Sequence, residues 1–292
     1  MKLLIVGANG MLGNACMNYF SSKPNYEVTG TVRSKELLSF FPSHIKNRII
    51  SNIDITDPIT QAKIFYQVTP DVVINCVGLV KQAQVNNNPY RSILLNALLP
   101  HQLAMQCSKF DSKLLHISTD CVFSGLKGSP YLQSDLADAS DLYGKTKYLG
   151  EVINLPNALT IRTSYIGNEL DTSNGLLEWF LAQSDQCQGF TKAIYSGLPT
   201  VILMELFEDI LINYPSLSGL YQVASAPISK YNLLMLIAQV FQKRINIVPN
   251  DSLLIDRSLD GSIFQGVTGF IAPSWELMIK RMYLDRIANV QK

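Results

Sequence analysis

The sequence has few of the features that mark secreted, metal-binding or nucleic-acid-binding proteins. Its five cysteines stand singly, an odd number without a C-x-x-C pair, which argues against a disulfide framework and a zinc site. The formal net charge is only +1, so the chain offers no excess positive charge to a polyanion. We therefore expect reduced thiols, no metal and no nucleic-acid partner.

Long apolar runs are also missing. No stretch approaches the roughly 18 uninterrupted apolar residues that a membrane span needs, and the apolar run 3–6 is too short for a signal peptide. These absences predict a cytoplasmic protein without a membrane partner. The three histidines, His44, His101 and His116, are scattered, and without a G-x-S-x-G motif they do not indicate a hydrolase triad.

The first half of the chain alternates strand-length apolar runs with helix-length periodic segments. This alternation predicts an α/β fold, a Rossmann-like doubly wound parallel sheet with helices on both faces. The predicted strands are 2–6, 26–32, 48–53, 71–77, 113–118 and 158–162, and the predicted helices are 11–22, 57–68, 90–109 and 142–154.

A glycine-rich turn joins the first predicted strand to the first predicted helix. Residues 7–13 read GANGMLG, in which the glycines permit a tight turn and close backbone approach. The helix N-terminus then offers N–H groups and a partial positive charge to a pyrophosphate. The turn predicts a dinucleotide site, and the alternative is a glycine-rich turn without a ligand. The predicted binding residues are Gly7, Asn9, Gly10, Met11, Leu12 and Gly13.

The second predicted strand ends in Arg33 and Ser34, without the acid that usually binds a ribose 2′-hydroxyl. Arginine pairs bidentately with phosphate, and serine donates a hydroxyl. We predict NADP(H) in preference to NAD(H), with NAD(H) still usable; the alternative is that Arg33 is an ordinary surface residue. The later strands add the cofactor residues Asp54, Ile55, Cys76, Val77 and Gly78.

Residues 143–147, YGKTK, carry the strongest chemical signal. Tyr143 and Lys147 are spaced i and i+4, so they project from one helix face. An ammonium lowers the pKa of a nearby phenol, and such a tyrosine can protonate a carbonyl oxygen that receives hydride. Thr119 adds a hydroxyl at the end of the fifth predicted strand. The three residues predict a reduction site.

The segment around these residues resembles the active-site segment of dTDP-4-dehydrorhamnose reductases, which are extended short-chain dehydrogenases. The resemblance implies NADP(H)-dependent reduction of a keto group on a nucleotide-linked sugar, for surface polysaccharide synthesis. It also implies Thr119, Tyr143 and Lys147 as the catalytic residues, of which Tyr143 and Lys147 also bind the cofactor. The positions that carry it are Ser118, Thr119, Asp120, Val122, Phe123, Gly125, Pro130, Tyr131, Asp135 and 143–147.

The resemblance implies further roles along the chain. It puts Arg162 near the nicotinamide and Arg257 near the phosphates of the nucleotide. Members of the family often pair as dimers, which leaves a homodimer open for this chain. The residues expected to bind the nucleotide sugar are Asp120, Cys121, Pro199, Thr200 and Arg257.

The regular alternation fails after residue 163, where we expect loops around one helix near 174–184. A length of 292 residues suits one main domain with a smaller dependent lobe. Further predicted elements are helices 201–213, 229–243 and 274–285 and strand 219–223. The predicted domains are a dinucleotide-binding domain of 1–163 plus 200–225 and a substrate lobe of 164–199 plus 226–292.

The chain departs from the family pattern at four positions: where the family commonly carries Tyr, Glu, Pro and Asn, it has Cys121, Gln133, Ala139 and Asp141. Cys121 stands where a 4,6-dehydratase would carry glutamate, which argues against dehydration. Two alternatives stay open. One is an epimerase or epimerase-reductase that uses Cys121 as a base; such enzymes also use a histidine from the substrate lobe, and this chain has no histidine after His116. The other is a non-catalytic nucleotide-sensing subunit.

Overall fold

A computed structural model describes residues 1–79, 88–170 and 174–290. The strands are β1 (Lys2–Val6), β2 (Glu27–Thr31), β3 (Ile49–Ile50), β4 (Val72–Asn75), β5 (Lys113–Ser118), β6 (Ala158–Arg162), β7 (Tyr165–Ile166), β8 (Gln186–Phe190), β9 (Ala193–Tyr195), β10 (Leu198–Pro199), β11 (Gly219–Gln222), β12 (Ile228–Ser229), β13 (Asn246–Asn250) and β14 (Ile255–Asp256). The helices are α1 (Met11–Ser21), α2 (Ser43–Lys46), α3 (Pro58–Val68), α4 (Pro89–Ser92), α5 (Leu99–Lys109), α6 (Leu142–Leu149), α7 (Leu176–Ala182), α8 (Thr200–Asn213), α9 (Lys230–Val240), α10 (Ser262–Thr268) and α11 (Trp275–Val290).

The main sheet of the described chain has seven strands in the order β11-β6-β5-β4-β1-β2-β3. The pairs β1–β2, β2–β3, β1–β4 and β4–β5 are parallel. Strands β2 and β3 lie on one side of β1, and the chain then crosses to the other side of β1, where it forms β4, β5 and β6. This order confirms the predicted doubly wound Rossmann-like sheet, in which ligands bind beside the carboxyl ends of the strands where the order reverses.

The register brings the carboxyl ends of the central strands to one edge. Val6 lies opposite Thr31 on one side and Asn75 on the other, and Asn75 lies opposite His116. The residues that follow these positions in the chain therefore emerge at the same edge of the sheet. Gly7, which follows β1, lies at this edge.

One face of the sheet is closed by an apolar core. Leu4, Val73 and Leu114 from three adjacent strands pack with Phe65 of α3 and Leu103 of α5. Fully burying such side chains contributes about 1.5–3 kcal/mol each, which makes this layer the rigid support of the edge described above.

Local signals explain where several elements begin and end. Asp57 caps α3 by accepting hydrogen bonds from the backbone N–H groups of Ile59 and Thr60, and Pro58 occupies the first turn. Thr69 ends α3 in a left-handed conformation with φ 47°. The predicted third strand 48–53 shortens to β3, and Asn52, also left-handed with φ 59°, lies within the predicted range.

The expectation of loops around a single helix after residue 163 is wrong in detail. The helix is present as α7, but β7, β8, β9 and β10 also form there. Three of these strands have only two or three residues, which is too short for a visible alternation of apolar and polar positions. Strands β13 and β14 and helix α10 were missed as well.

The chain packs into two compact units. The first comprises Met1–Ser118, Ser140–Ile161 and Ile210–Leu220, and the second comprises Thr119–Ala139, Arg162–Asp209 and Tyr221–Lys292. The assignment of cofactor and substrate to the domain ranges expected from the sequence stays a prediction. Within the described residues, none of the helices combines the length and the apolar character needed to cross a lipid bilayer.

The three glycines of the turn after β1 are required to different degrees by the structure. Gly7 has φ +85°, a conformation that disfavours other residues. A Cβ atom added at Gly13 would lie 2.1 Å from the carbonyl oxygen of Gly7, so α1 approaches the turn too closely for any side chain. Within the described part of the chain, the nearest atom to a Cβ at Gly10 is 3.7 Å away, so packing among these residues does not demand glycine there.

We expect Gly13→Ala to lower the free energy of unfolding by about 1–3 kcal/mol, because neither backbone segment can retreat from the clash. Gly10→Ala is the matched control and should lower the free energy of unfolding by less than about 1 kcal/mol, the scale of a change at a helix N-cap. Urea denaturation of both variants measures the difference. Equal stabilities would contradict the close approach at Gly13.

Candidate active site

The N-terminus of α1 is left open beside the glycine turn. Gly10 is its N-cap, no side chain caps the helix, and the first turn has no acid. The Gly10 N–H donates to the Gly7 carbonyl at 3.3 Å, and the Asn14 N–H donates to the Gly10 carbonyl at 2.8 Å. Asn9 and Met11 are half-buried, whereas Leu12 packs inward. The turn thus presents backbone rather than large side chains.

The end of β2 is tied to this turn. The Ala8 N–H donates to the Thr31 carbonyl at 2.9 Å. Arg33 is exposed, and Ser34 is half-buried. The pKa of the Glu36 carboxyl is held below its usual value by its own backbone N–H and by the Ser34 hydroxyl. Sequence analysis missed this acid, which binds Ser34, while the Arg33 guanidinium stays exposed.

The residues expected after the third and fourth strands divide into two groups. Asp54 accepts from the N–H and hydroxyl of Thr56 at 3.0 and 2.6 Å, and the Ile55 side chain is buried in the core. Val77 follows β4, and a Cβ at Gly7 would lie 2.7 Å from its Cγ2 atom. The structure therefore brings the end of β4 against the glycine turn. The Cys76 N–H donates to the Val6 carbonyl at 2.9 Å, which fixes this approach.

Helix α6 carries the tyrosine and lysine of the predicted reduction site. Asp141 caps it by accepting from the Gly144 N–H at 2.8 Å. Tyr143 is half-buried in the first turn, whereas Lys147 is only 5% exposed. The sequence spacing therefore does place both side chains on one helix.

The Lys147 ammonium lies at the edge of the sheet. Its Nζ donates to the Ile117 carbonyl of β5 at 2.7 Å. A Cβ at Gly78 would lie 4.0 Å from Nζ, so the segment after β4 also runs beside it. Burial lowers the pKa of Lys147 to about 8, and the Glu151 carboxylate acts against that shift. Lys147 and Gly78, both predicted to bind the cofactor, are thus brought together.

Asn96 fixes α6 against the preceding helix, a role that sequence analysis missed. It lies in the π-helical segment Ile93–Leu98 between α4 and α5. Its side chain accepts from the Leu79 N–H at 2.8 Å and donates to the Thr146 hydroxyl at 3.2 Å. A Cβ at Gly150 would lie 2.0 Å from the Asn96 carbonyl oxygen. The available signal was an asparagine inside an apolar helix, where this residue is unfavourable.

Glu151 is a second functional candidate that the sequence did not reveal. The Ser118 hydroxyl donates to its Oε1 atom at 2.7 Å, and both residues are buried. Ser118 is the last residue of β5, so this bond joins the strand end to the chain just beyond α6. A buried acid four residues after Lys147 was the only hint in the sequence.

Thr119 begins the second compact unit. Its hydroxyl accepts from the Cys121 N–H and donates to Asp120 Oδ1, both at 3.1 Å. Burial raises the pKa of Asp120, and the positive charge of Arg257 opposes that rise. Tyr143 and Lys147 belong to the first unit. A common site for Thr119, Tyr143 and Lys147 therefore stays a prediction.

Cys121 and Arg257 lie together within the second unit. Arg257 Nε donates to the Phe123 carbonyl at 2.8 Å, and its Nη1 lies 3.7 Å from Cys121 Sγ. Burial, followed by the Asp120 carboxyl, raises the pKa of Cys121 to about 12. Cys121 is therefore a thiol at neutral pH, which is the state of a packed side chain rather than of a base.

The remaining residues expected at the site are buried in the second unit. The Arg162 guanidinium stacks 5.2 Å from the centre of the Phe123 ring. Pro199 ends β10, and Thr200 starts α8 with its side chain packed against Gly167. Their contacts with nicotinamide or substrate stay predictions.

The glycine turn, the helix with tyrosine and lysine, and the sheet order together agree with a known protein family. The family model described as "RmlD substrate binding domain" matches residues 1–188. The chain belongs to the RmlD substrate binding domain family.

Relatives of this RmlD-family chain include proteins of two kinds. The dTDP-4-dehydrorhamnose reductase of Salmonella typhimurium is 26% identical, and the match covers 98% of each chain. The methionine adenosyltransferase 2 subunit beta of Bos taurus is 29% identical over 54% of this chain and 44% of its own length. The crystal structure of a Bacillus anthracis dTDP-4-dehydrorhamnose reductase with NADP superposes with a TM-score of 0.80. At 20% identity, with 97% of this chain and 99% of that chain covered, the latter likeness concerns the fold.

The raised pKa of Cys121 predicts low thiol reactivity in this RmlD-family chain. At pH 7.5 the native Cys121 should react with iodoacetamide on the order of 10³ times more slowly than a free cysteine, because so little thiolate is present. Peptide mass spectrometry after timed labelling measures the rate. The control is the urea-unfolded chain, in which Cys121 should react readily. Rapid labelling of the folded chain would instead favour a thiolate base and hence the epimerase alternative.

Proposed function

We propose that this RmlD-family chain is an NADP(H)-dependent reductase of a keto group on a nucleotide-linked deoxy sugar, for polysaccharide precursor synthesis. The observation that carries the proposal is the buried Lys147 ammonium, four residues after Tyr143, at the sheet edge beside Gly78. The relative from Salmonella typhimurium, matched over nearly its whole length, supports the same activity. We place the enzyme in the cytoplasm and leave a homodimer as one form of it.

The described residues fit a dinucleotide. Gly10 is glycine without an internal packing reason, which agrees with a ligand that passes close to the backbone at the open N-terminus of α1. Gly78 and Lys147 would hold the nicotinamide half, and Arg33 would hold a 2′-phosphate. Bound NADPH supplies a hydride for the keto carbon. The remaining chemistry belongs to the side chains of this chain.

Tyr143 is the proposed proton donor to the keto oxygen, and the Lys147 ammonium makes its phenol more acidic. Thr119 would turn its hydroxyl from Asp120 to the same oxygen and so help to orient the carbonyl. Because Lys147 is itself bound to the Ile117 carbonyl, its charge is held in place before any ligand arrives. Preorganised charge of this kind favours the transition state without a cost of rearrangement.

The substrate residues are proposed on the second unit. Arg257 would bind the nucleotide's phosphates, with Asp120, Cys121, Pro199 and Thr200 around the sugar. Arg257 Nε is already bound to the Phe123 carbonyl, which orients the guanidinium. As domain ranges we propose 1–163 plus 200–225 for the dinucleotide and 164–199 plus 226–292 for the substrate, with the substrate residues Asp120, Cys121 and Thr200 contributed by the first set of ranges.

Two alternatives are less well supported. An epimerase that uses Cys121 as a base needs a thiolate, and the raised pKa of Cys121 opposes this. For a non-catalytic subunit, the bovine relative is named as a subunit of another enzyme, but that match covers only 54% of this chain. An intact Thr119, Tyr143 and Lys147 favours the enzyme.

The proposed reaction is tested by NADPH oxidation against dTDP-, UDP- and GDP-linked 4-keto-6-deoxy sugars. Tyr143→Phe should lower kcat by about 10²–10⁴-fold, the usual contribution of a positioned proton donor, while NADPH binding is largely retained. Tyr148→Phe is the matched control on the same helix, since Tyr148 is exposed, and it should keep wild-type kcat. Oxidation with no sugar of the panel, or normal turnover of Tyr143→Phe, would refute the proposal.

The preference for NADP(H) is tested at Arg33. Arg33→Ala should raise the KM for NADPH on the order of 10–100-fold and the KM for NADH by less than about threefold, because a charge-assisted bond to the 2′-phosphate is lost. Arg48→Ala removes the same charge from another exposed position and should change neither KM. An equal loss with both cofactors would contradict recognition of the 2′-phosphate by Arg33.

A further inference from the structure

Glu151 is a buried acid that the proposed reaction does not use. Its side chain is 7% exposed, beside Lys147 at 5% and Ser118 at 3%. The Ser118 hydroxyl donates to Glu151 Oε1 at 2.7 Å, which fixes the carboxyl at the end of β5. Lys147 Nζ is bound to Ile117, the residue before Ser118, at 2.7 Å. Two adjacent residues of β5 thus hold the acid and the ammonium.

We propose that Glu151 is a positioning residue, which Ser118 holds in place and which keeps the buried Lys147 in its ammonium form. The proposal rests on the proposed function, in which the ammonium acts on Tyr143. Glu151 itself is not assigned any contact with substrate or cofactor. Its effect on the reaction passes through Lys147.

Among the residues that the structure describes, the other ionisable groups near Lys147 do not supply this negative charge. Tyr143 shares the helix and would be the proton donor. On β5, His116 accepts through Nδ1 from the Asn75 amide at 3.2 Å, because the Asn75 carbonyl oxygen already accepts from the Val77 N–H. Burial and then the charge of Lys147 lower the pKa of His116 well below its usual value, so this imidazole is neutral.

His101 on α5 is the other ionisable group whose charge bears on Lys147. One of its ring nitrogens, Nε2, lies 2.8 Å from the Leu149 carbonyl at the end of α6. A positively charged His101 would repel the ammonium, and the neutral His116 neither repels nor attracts it. The charge that favours protonated Lys147 therefore comes from Glu151, which is also the group that limits the fall of the Lys147 pKa.

The direct test is the titration of Lys147 by NMR in the protein without cofactor, with lysine ¹³C-labelled at Cε. Loss of one signal in Lys147→Arg assigns the resonance. In wild type, Lys147 should titrate near pH 8. In Glu151→Gln it should titrate about one pH unit lower, since the opposite charge that raises the Lys147 pKa is lost. Glu151→Asp retains the charge and should titrate within about 0.3 of wild type.

Ser118→Ala tests the anchor separately. Without the hydroxyl the carboxyl is no longer fixed, so Lys147 should titrate lower than in wild type but by less than in Glu151→Gln. An unchanged titration in Ser118→Ala would remove Ser118 from the proposal. Thermal unfolding of each variant shows whether the fold is retained, and Glu151→Asp provides the comparison if the glutamine variant unfolds.

The pH dependence of kcat/KM gives a second readout. NADPH-dependent reduction should fall at alkaline pH as Lys147 and Tyr143 lose their protons, and this limb should move about one unit lower in Glu151→Gln. An unshifted NMR titration in Glu151→Gln, or an equal shift in Glu151→Asp, would overturn the role of Glu151. If the NMR shift appears but no sugar nucleotide is reduced by wild type, the proposed function fails and the role of Glu151 toward Lys147 stands.

Discussion

The burial of one ammonium group governs the arrangement of the candidate site. Lys147 has lost nearly all of its water, which disfavours its charged form, and its Nζ donates a hydrogen bond to the Ile117 carbonyl. That bond requires α6 to lie close to the end of β5. On its other side, α6 is held against the segment Ile93–Leu98 by the bond from Asn96 to Thr146 and by the missing side chain of Gly150. The packing of α6 is therefore as specific as the chemistry of its side chains.

Crowding at the same edge of the sheet limits the size of the side chains in the segments that follow the strands. Because the register aligns Val6 with Thr31 and Asn75, the segments after these strands meet in a narrow space. Gly7 and Gly13 satisfy that limit through a positive φ and a close backbone approach. Gly10 has neither reason, so its identity agrees better with a ligand than with folding. Glycines that look equivalent in a sequence motif thus have separate physical causes.

The sequence predicted features that depend on local pattern and missed those that depend on distant partners. The central strands β1 and β4 are short apolar runs, and the turn after β1 has its glycines, so both could be predicted. Asn96 bonds Thr146 across 50 positions and Ser118 bonds Glu151 across 33, and no periodicity reports such pairs. The short strands β7, β9 and β10 were not predicted for another reason, since two or three residues are too few to show an alternation of apolar and polar positions.

The departures from the family pattern fall into two physical classes. Asp141 replaces an asparagine without consequence for α6, because its carboxylate caps the Gly144 N–H as an amide oxygen would. Cys121 instead lies against Arg257, and the Gln133 carbonyl lies 3.5 Å from Arg162 Nη1. Arg257 is the arginine that we propose as a substrate residue, so the change at Cys121 alters the proposed pocket and leaves the helix of Tyr143 and Lys147 intact. Cys121 and Gln133 therefore lie in the second unit, whereas Asp141 lies in the first unit as the N-cap of the helix that carries Lys147.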